Sequence, residues 1–275
     1  MKVGRIPYIN CYPVYGAIDR GTVKLKAELV DGVPSDLNRL MSAGDLDISV
    51  VSAVEYARDA DRYLLLPDLA ISCDGPVRSV MLFSKRAAGD LGSRKVIVSR
   101  SSMTSVALLE LLFENVWRTK PKFVPGDAEI GDIETLDADE NDARLVIGDA
   151  ALVLGSLHRD RYPYVYDLGE IWKHWTGQPF VFAVWVAQRA MKVKDALLAH
   201  ASLIESRNWG LSHLPELAEQ AHRATGVHPD ICAEYLSGLD YGLSYPHLAG
   251  LTEFYRRLVE RGRIPNGTLK FLPAA

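Results

Sequence analysis

Strand-like and helix-like segments take turns along the first two thirds of this chain, and that alternation limits the fold more than any other feature. Val3 to Tyr8 is an apolar run ended by Asn10-Cys11-Tyr12-Pro13, after which Val14 to Arg20 turns helical. Val23 to Val30 alternates as a half-buried strand should. Asp31-Gly32-Val33-Pro34 then opens a helix with Leu37, Leu40 and Met41 on one face, and Gly44 closes it. Asp47 to Val51 predicts a buried strand, and Ser52-Ala53-Val54-Glu55 has the spacing of a reciprocal capping box. Alternation of this kind predicts the α/β class, with mainly parallel sheet covered by helices on both faces.

The pattern also predicts two lobes. After the apolar stretch Ser79 to Phe83 the segment Ser84 to Ser93 is polar and bears glycine, which marks a crossing between domains. A second unit follows: strand 95–99, helix 103–118, strand 122–124, an acidic loop, strand 144–147, a helix from Asp149 and strand 164–167. Phe180 to Val186 is one long apolar strand, and helices are expected near 194–208, 214–224, 229–237 and 248–261. The expected division is a discontinuous first lobe, 1–86 plus 180–275, with 87–179 inserted as the second. Two crossings between such lobes describe a cleft protein that holds its ligand between them.

Composition removes several classes of function. The 275 residues carry 31 Lys plus Arg against 35 Asp plus Glu, a formal charge of −4, so no net positive field would hold nucleic acid or an acidic membrane. The longest uncharged apolar run, Phe180 to Ala187, is less than half the roughly 20 residues of a membrane span. Arg5, Pro7 and Asn10 interrupt the amino terminus before signal-peptide length, and the three cysteines, Cys11, Cys73 and Cys232, lie far apart, so a reducing, cytoplasmic setting is expected. Seven scattered histidines and the eight acids between Asp127 and Asp142 lack the spacing of a zinc or calcium site, and no metal is expected.

Candidate ligand groups fall at strand ends. Asn10 can donate and accept without charge at the carboxyl edge of the first sheet, or it can bond its own backbone in a turn. Cys11 reads as a packed residue rather than a nucleophile. Ser99 to Ser105 joins a strand to a helix, where several hydroxyls could add to free amides and form a carboxylate or phosphate cradle, a small carboxylate being favoured; the alternative is simple capping by Ser101 or Ser102. Ile147-Gly148-Asp149 repeats the arrangement, with Asp149 as an N-cap the simpler role. In Asp74 to Ser79, Arg78 is either a carboxylate clamp or a solvated surface charge, and Ser79 is a candidate ligand donor.

Several segments then match a family together. They are Arg5-Ile6-Pro7-Tyr8-Ile9-Asn10-Cys11-Tyr12-Pro13-Val14-Tyr15, Gly44 to Ile48, Cys73-Asp74-Gly75-Pro76-Val77, Ser102-Met103-Thr104-Ser105-Val106, Ile147 to Leu152, Asp167 to Trp172 and Trp175 to Trp185. In these the chain resembles the chorismate dehydratase family of the futalosine route to menaquinone, through about residue 190; the helical last third matches only in outline. The resemblance implies a type II periplasmic-binding-protein-like fold with two α/β lobes around a central cleft. The implied activity is a hydro-lyase that takes chorismate to 3-[(1-carboxyvinyl)oxy]benzoate and water, without a cofactor.

By the same resemblance Asn10 is the catalytic residue, and Ser79, Ser102, Thr104, Ser105, Gly148 and Asp149 bind substrate. The sequence offers no obvious general base, and the substrate's own enolpyruvyl carboxylate, oriented by Asn10, would fill that role. Two alternatives remain open: the sibling 1,4-dihydroxy-6-naphthoate synthase, whose opening Cys-Pro-Asn-Asp-Thr-Phe-like segment is replaced here by Asn-Cys-Tyr-Pro, and a cytoplasmic carboxylate-binding protein without catalysis.

Overall fold

A computed structural model describes residues 1–100, 102–126 and 142–273. Its strands form two five-stranded sheets. The first contains β1 (Lys2–Arg5), β2 (Glu28–Asp31), β3 (Ile48–Ser52), β4 (Tyr63–Cys73) and β10 (Phe180–Gln188), in the order β2-β1-β3-β10-β4. The second contains β5 (Val80–Ser84), β6 (Lys95–Ser99), β7 (Lys122–Gly126), β8 (Ala143–Ile147) and β9 (Tyr164–Asp167), in the order β7-β6-β8-β5-β9. In each sheet four strands run one way and one strand, next to an edge, runs the other: β10 in the first, β5 in the second. That antiparallel strand is the one that arrives from the other lobe.

Strands β3, β5 and β8 are buried at every residue, as interior strands covered on both faces must be, and their sequences read as apolar runs accordingly. The helices are α1 (Tyr12–Asp19), α2 (Pro34–Ala43), α3 (Ala53–Arg58), α4 (Met103–Asn115), α5 (Gly148–Leu157), α6 (Leu168–Thr176), α7 (Val193–Ser212), α8 (Leu214–Thr225), α9 (Pro229–Ser237) and α10 (Tyr245–Glu260). Trp172 of α6 is fully buried; its ring meets Phe180 and Phe254 edge-on, and its Nε1 donates to Pro179 O at 3.2 Å. A second-lobe helix is thereby anchored on the first lobe beside the return crossing.

Four expectations change. The strand expected over 23–30 is only β2, because the Thr22 and Val23 amides turn back to Ala17 O at the end of α1. No strand was expected over 63–73, yet β4 is the longest of the described strands; Pro67 and Asp68, the latter at φ +53°, form an irregularity that hides its pattern. Strand 80–84, expected in the first lobe, pairs with β8 and β9, so the first crossing is 74–79 and the polar 84–93 segment is a loop within the second sheet's lobe. Finally, the capping box is half made. Ser52 Oγ accepts from Glu55 N at 3.2 Å, but the Ser52 amide donates to Asn38 Oδ1, while Glu55 Oε1 accepts from the Tyr63 hydroxyl.

Candidate active site

The carboxyl edges of the two sheets face each other. β1 and β3 are parallel neighbours, so the loops that leave them, 6–11 and 52–54, lie side by side; β8 and β6 do the same for 147–149 and 99–103 in the other lobe. Two hydrogen bonds join these loops across the lobes. The Ile9 amide donates to Asp149 Oδ1 at 3.0 Å, and the Val54 amide donates to Thr104 Oγ1 at 3.0 Å. The space between carboxyl edges is where open α/β sheets take ligands, because helix amino termini and adaptable loops converge there.

Asn10 sits in a short 3-10 turn, Ile9–Cys11, that has no side-chain cap. The turn is closed by the Cys11 amide on Tyr8 O at 3.0 Å, so it does not need the asparagine. Asn10 Oδ1 is buried and accepts no hydrogen bond. An unpaired buried acceptor is costly, and a ligand hydrogen would relieve it. Cys11 is fully buried, and burial together with the Asp149 carboxylate pushes its thiol far above the usual range, which keeps it neutral and unreactive.

Gly148 has φ +62°, and a Cβ there would stand 2.9 Å from the Tyr8 ring, so glycine is what lets the first lobe's Tyr8 lie over the start of α5. Its amide donates to Ser79 O at 2.8 Å, which places Ser79 beside it. Ser79 is buried, with its hydroxyl turned to Val77 O at 3.3 Å. Asp149 is buried in the first turn of α5 and does not act as its N-cap; it holds the Ile9 amide of the other lobe instead. Arg78 is neither free nor a clamp in this arrangement, because its guanidinium pairs with the exposed Glu234 of α9.

On the α4 side the three hydroxyls differ. Ser102 is the N-cap, accepting from Ser105 N at 3.2 Å and donating to Ser105 Oγ at 2.8 Å. Thr104 and Ser105 are almost fully buried, and each hydroxyl accepts a bond as described while keeping one O–H to give. Ser101 and the acidic stretch 127–141 lie outside the described residues.

One important residue went unremarked in the reading of individual positions. Asp167, at the end of β9, caps α6 by accepting from the Gly169 and Glu170 amides at 2.9 and 3.1 Å, and it also accepts from Val77 N at 3.0 Å and Arg78 N at 2.6 Å. Burial pushes its carboxyl up and these four amides pull it partly back. The carboxylate thus fixes the first crossing, where Arg78 adopts φ +59°. Its local signal was an acid followed three residues later by Glu170, the mark of a helix start.

Two α/β lobes joined by paired crossings, with polar loops and helix starts facing each other, define a cleft protein of the periplasmic-binding-protein-like fold. The chain belongs to the menaquinone biosynthesis family, whose model matches residues 1–260. It is 34% identical over 268 residues to a chorismate dehydratase of Thermus thermophilus, covering 92% of this chain and 95% of that one. A chorismate dehydratase of Campylobacter jejuni is 28% identical over 187 residues, 66% of each chain. Among solved structures, a crystal structure of an Archaeoglobus fulgidus protein superposes with a TM-score of 0.79 at 20% identity, over 96% of this chain and 98% of that one. The periplasmic aliphatic sulphonate binding protein of Escherichia coli gives 0.65 at 13% identity, over 97% and 94%. These structural likenesses concern the fold. None of the described helices is long and apolar enough to cross a membrane.

Proposed function

We propose that this chain is a chorismate dehydratase, a hydro-lyase of the futalosine route that converts chorismate to 3-[(1-carboxyvinyl)oxy]benzoate and water in the cytoplasm. The family match and the Thermus relative support the substrate. The geometric observation that carries the chemistry is the buried, unpartnered amide oxygen of Asn10 between two facing carboxyl edges.

The reaction removes hydrogen from the ring carbon that bears the ether and hydroxyl from its neighbour. The C–H electron pair becomes a ring π bond, the hydroxyl departs with its C–O pair and leaves as water, and aromaticity drives the change. The departing proton is in vinylogous conjugation with the ring carboxylate, so donors to that carboxylate stabilise the enolate-like transition state. We assign that work to the amides at the start of α4 with the Thr104 and Ser105 hydroxyls, Ser102 holding the helix start in shape. Gly148, Asp149 and Ser79 close the opposite wall.

No side chain at Asn10 is a ready base: Asp149 is committed to Ile9 and Cys11 is a neutral thiol. In the mechanism that the family resemblance implies, the proton passes to the substrate's own enolpyruvyl carboxylate, which Asn10 orients. Purified protein incubated with chorismate alone is expected to yield a product lighter by one water in mass spectrometry. Binding without conversion would make the chain a receptor, the role that the fold of the sulphonate binding protein also serves.

A further inference from the structure

The helical last third also reaches the first crossing, where Glu234 of α9 pairs with Arg78. Among the described residues, few buried side-chain polar atoms lack a hydrogen-bond partner; Asn10 Oδ1 is one and the hydroxyls of Tyr235 and Tyr241 are two more. Tyr235, on α9, is 1% exposed, and Tyr241, in the turn after it, is 2% exposed. The two phenols differ in what surrounds them. Tyr241 has Tyr235 and Cys11 near it, all within the first lobe. Tyr235 has the Ser79 hydroxyl within reach to give its oxygen a hydrogen, and it feels Asp149, Cys11 and Asp167, while its own hydrogen has no acceptor among the described residues.

A buried phenol seldom keeps its hydrogen without an acceptor, and at Tyr235, unlike Tyr241, the candidate ligand donor Ser79 is the neighbouring side chain, so a ligand oxygen at that site would accept it. The neighbouring charges decide which ligand atom it meets. The Asp149 and Asp167 charges both act on the phenol, so another carboxylate oxygen there would be repelled, whereas a neutral oxygen would not. Chorismate offers neutral oxygen in its ring hydroxyl and its ether, and the hydroxyl is the group that leaves. Burial keeps the phenol protonated throughout the working pH range, so it serves as a hydrogen-bond donor.

We propose that Tyr235 is a substrate-binding residue that donates its phenolic hydrogen to the ring hydroxyl of the bound substrate, steadying the C–O bond that breaks. The choice of ligand rests on the chorismate reading; the placement of the phenol does not. In the free protein Tyr235→Phe removes a hydroxyl whose one near partner, Ser79, keeps its own bond to Val77 O, so the melting temperature is expected to change little. Its kcat/KM for chorismate is expected to fall about tenfold to a hundredfold, the range of one lost hydrogen bond. The aromatic product keeps both carboxylates and the ether but lacks the hydroxyl, so its inhibition constant is expected to stay within about twofold.

An unchanged kcat/KM in the variant overturns the role of Tyr235 and leaves the enzyme reading standing, and so does a product affinity that weakens as much as turnover does. If the wild type binds chorismate without converting it, calorimetry replaces turnover: weaker chorismate binding with unchanged product binding then supports Tyr235 while the enzyme reading falls. A wild type that neither binds nor converts chorismate overturns both.

Discussion

The loop after β1 and the loop after β6 look alike in sequence, each a polar stretch between a parallel strand and a helix, yet they spend their polar groups differently. Ser102 and Ser105 satisfy one another, and Thr104 takes an amide from the opposite lobe, so that loop is already bonded before any ligand arrives. The turn at Asn10 is closed by backbone alone and leaves its one amide oxygen buried and idle. A count of hydroxyls points to the α4 loop as the ligand site, whereas the buried acceptor left without a partner is in the β1 loop, which is why the proposed reaction gives Asn10 the more exacting role.

The sharpest way to break this contrast is Asn10→Ala. Turnover of chorismate is expected to fall at least about a hundredfold, on the order of an oxyanion-donor deletion, while thermal melting changes little because no internal bond of the Oδ1 is lost. A near-normal rate with a lowered melting temperature would return Asn10 to a turn residue.

Thr104→Val tests the other loop. It keeps the shape but strips the acceptor from the buried Val54 amide, which costs about 1–3 kcal/mol in the closed form. Since the bond spans the lobes, the loss is expected in calorimetric affinity for chorismate, roughly tenfold or more, by a shift toward open states. An unchanged dissociation constant would mean that this contact plays no part in closure.

Gly148→Ala sharpens the comparison from the opposite wall. The left-handed backbone and the near approach of Tyr8 together are expected to cost about 1–2 kcal/mol, read as a lower urea midpoint with an unchanged slope. Ser102→Ala should have the smallest effect, about 1 kcal/mol of stability and roughly 2–4 °C of melting temperature, with affinity preserved, because it removes the cap and one hydrogen given to Ser105 Oγ but leaves the Ser105 hydroxyl its own O–H to give. Weakened affinity at Ser102 would instead bring that hydroxyl into contact with substrate.

Much of this was legible wherever one local pattern decided the outcome. The buried runs of β3, β5, β8 and β10 announced themselves by mostly apolar residues, and the sequence also placed the candidates Asn10, Ser79 and Gly148 beside strands, as the structure does. β4 was hidden by its Pro67-Asp68 irregularity, which breaks alternation in an edge strand that can accommodate it. The first crossing was misplaced because a polar glycine-bearing loop at 84–93 imitates a linker better than the short 74–79 segment does. Asp149 read as a cap because a helix start is local, while its actual partner is 140 residues away. Tyr235 gave no signal at all, since an aromatic on a helix face looks like any other core residue until its hydroxyl is found without a partner.

The sheet order β2-β1-β3-β10-β4 also sets a timetable for the growing chain. Most of the first lobe's strands are made early, but β4 borders β10 and not β3, and more than a hundred residues separate its last residue from the first of β10. At synthesis rates of roughly 5–20 residues per second that gap lasts on the order of 5–20 s. During it the leading lobe is a three-stranded fragment with β4 unattached, and the inserted lobe, whose strands are contiguous from 80 to 167, can complete its sheet first. A nascent chain released at residue 179 would therefore hold a finished second sheet and an unfinished first one, the reverse of the order in which the two were begun.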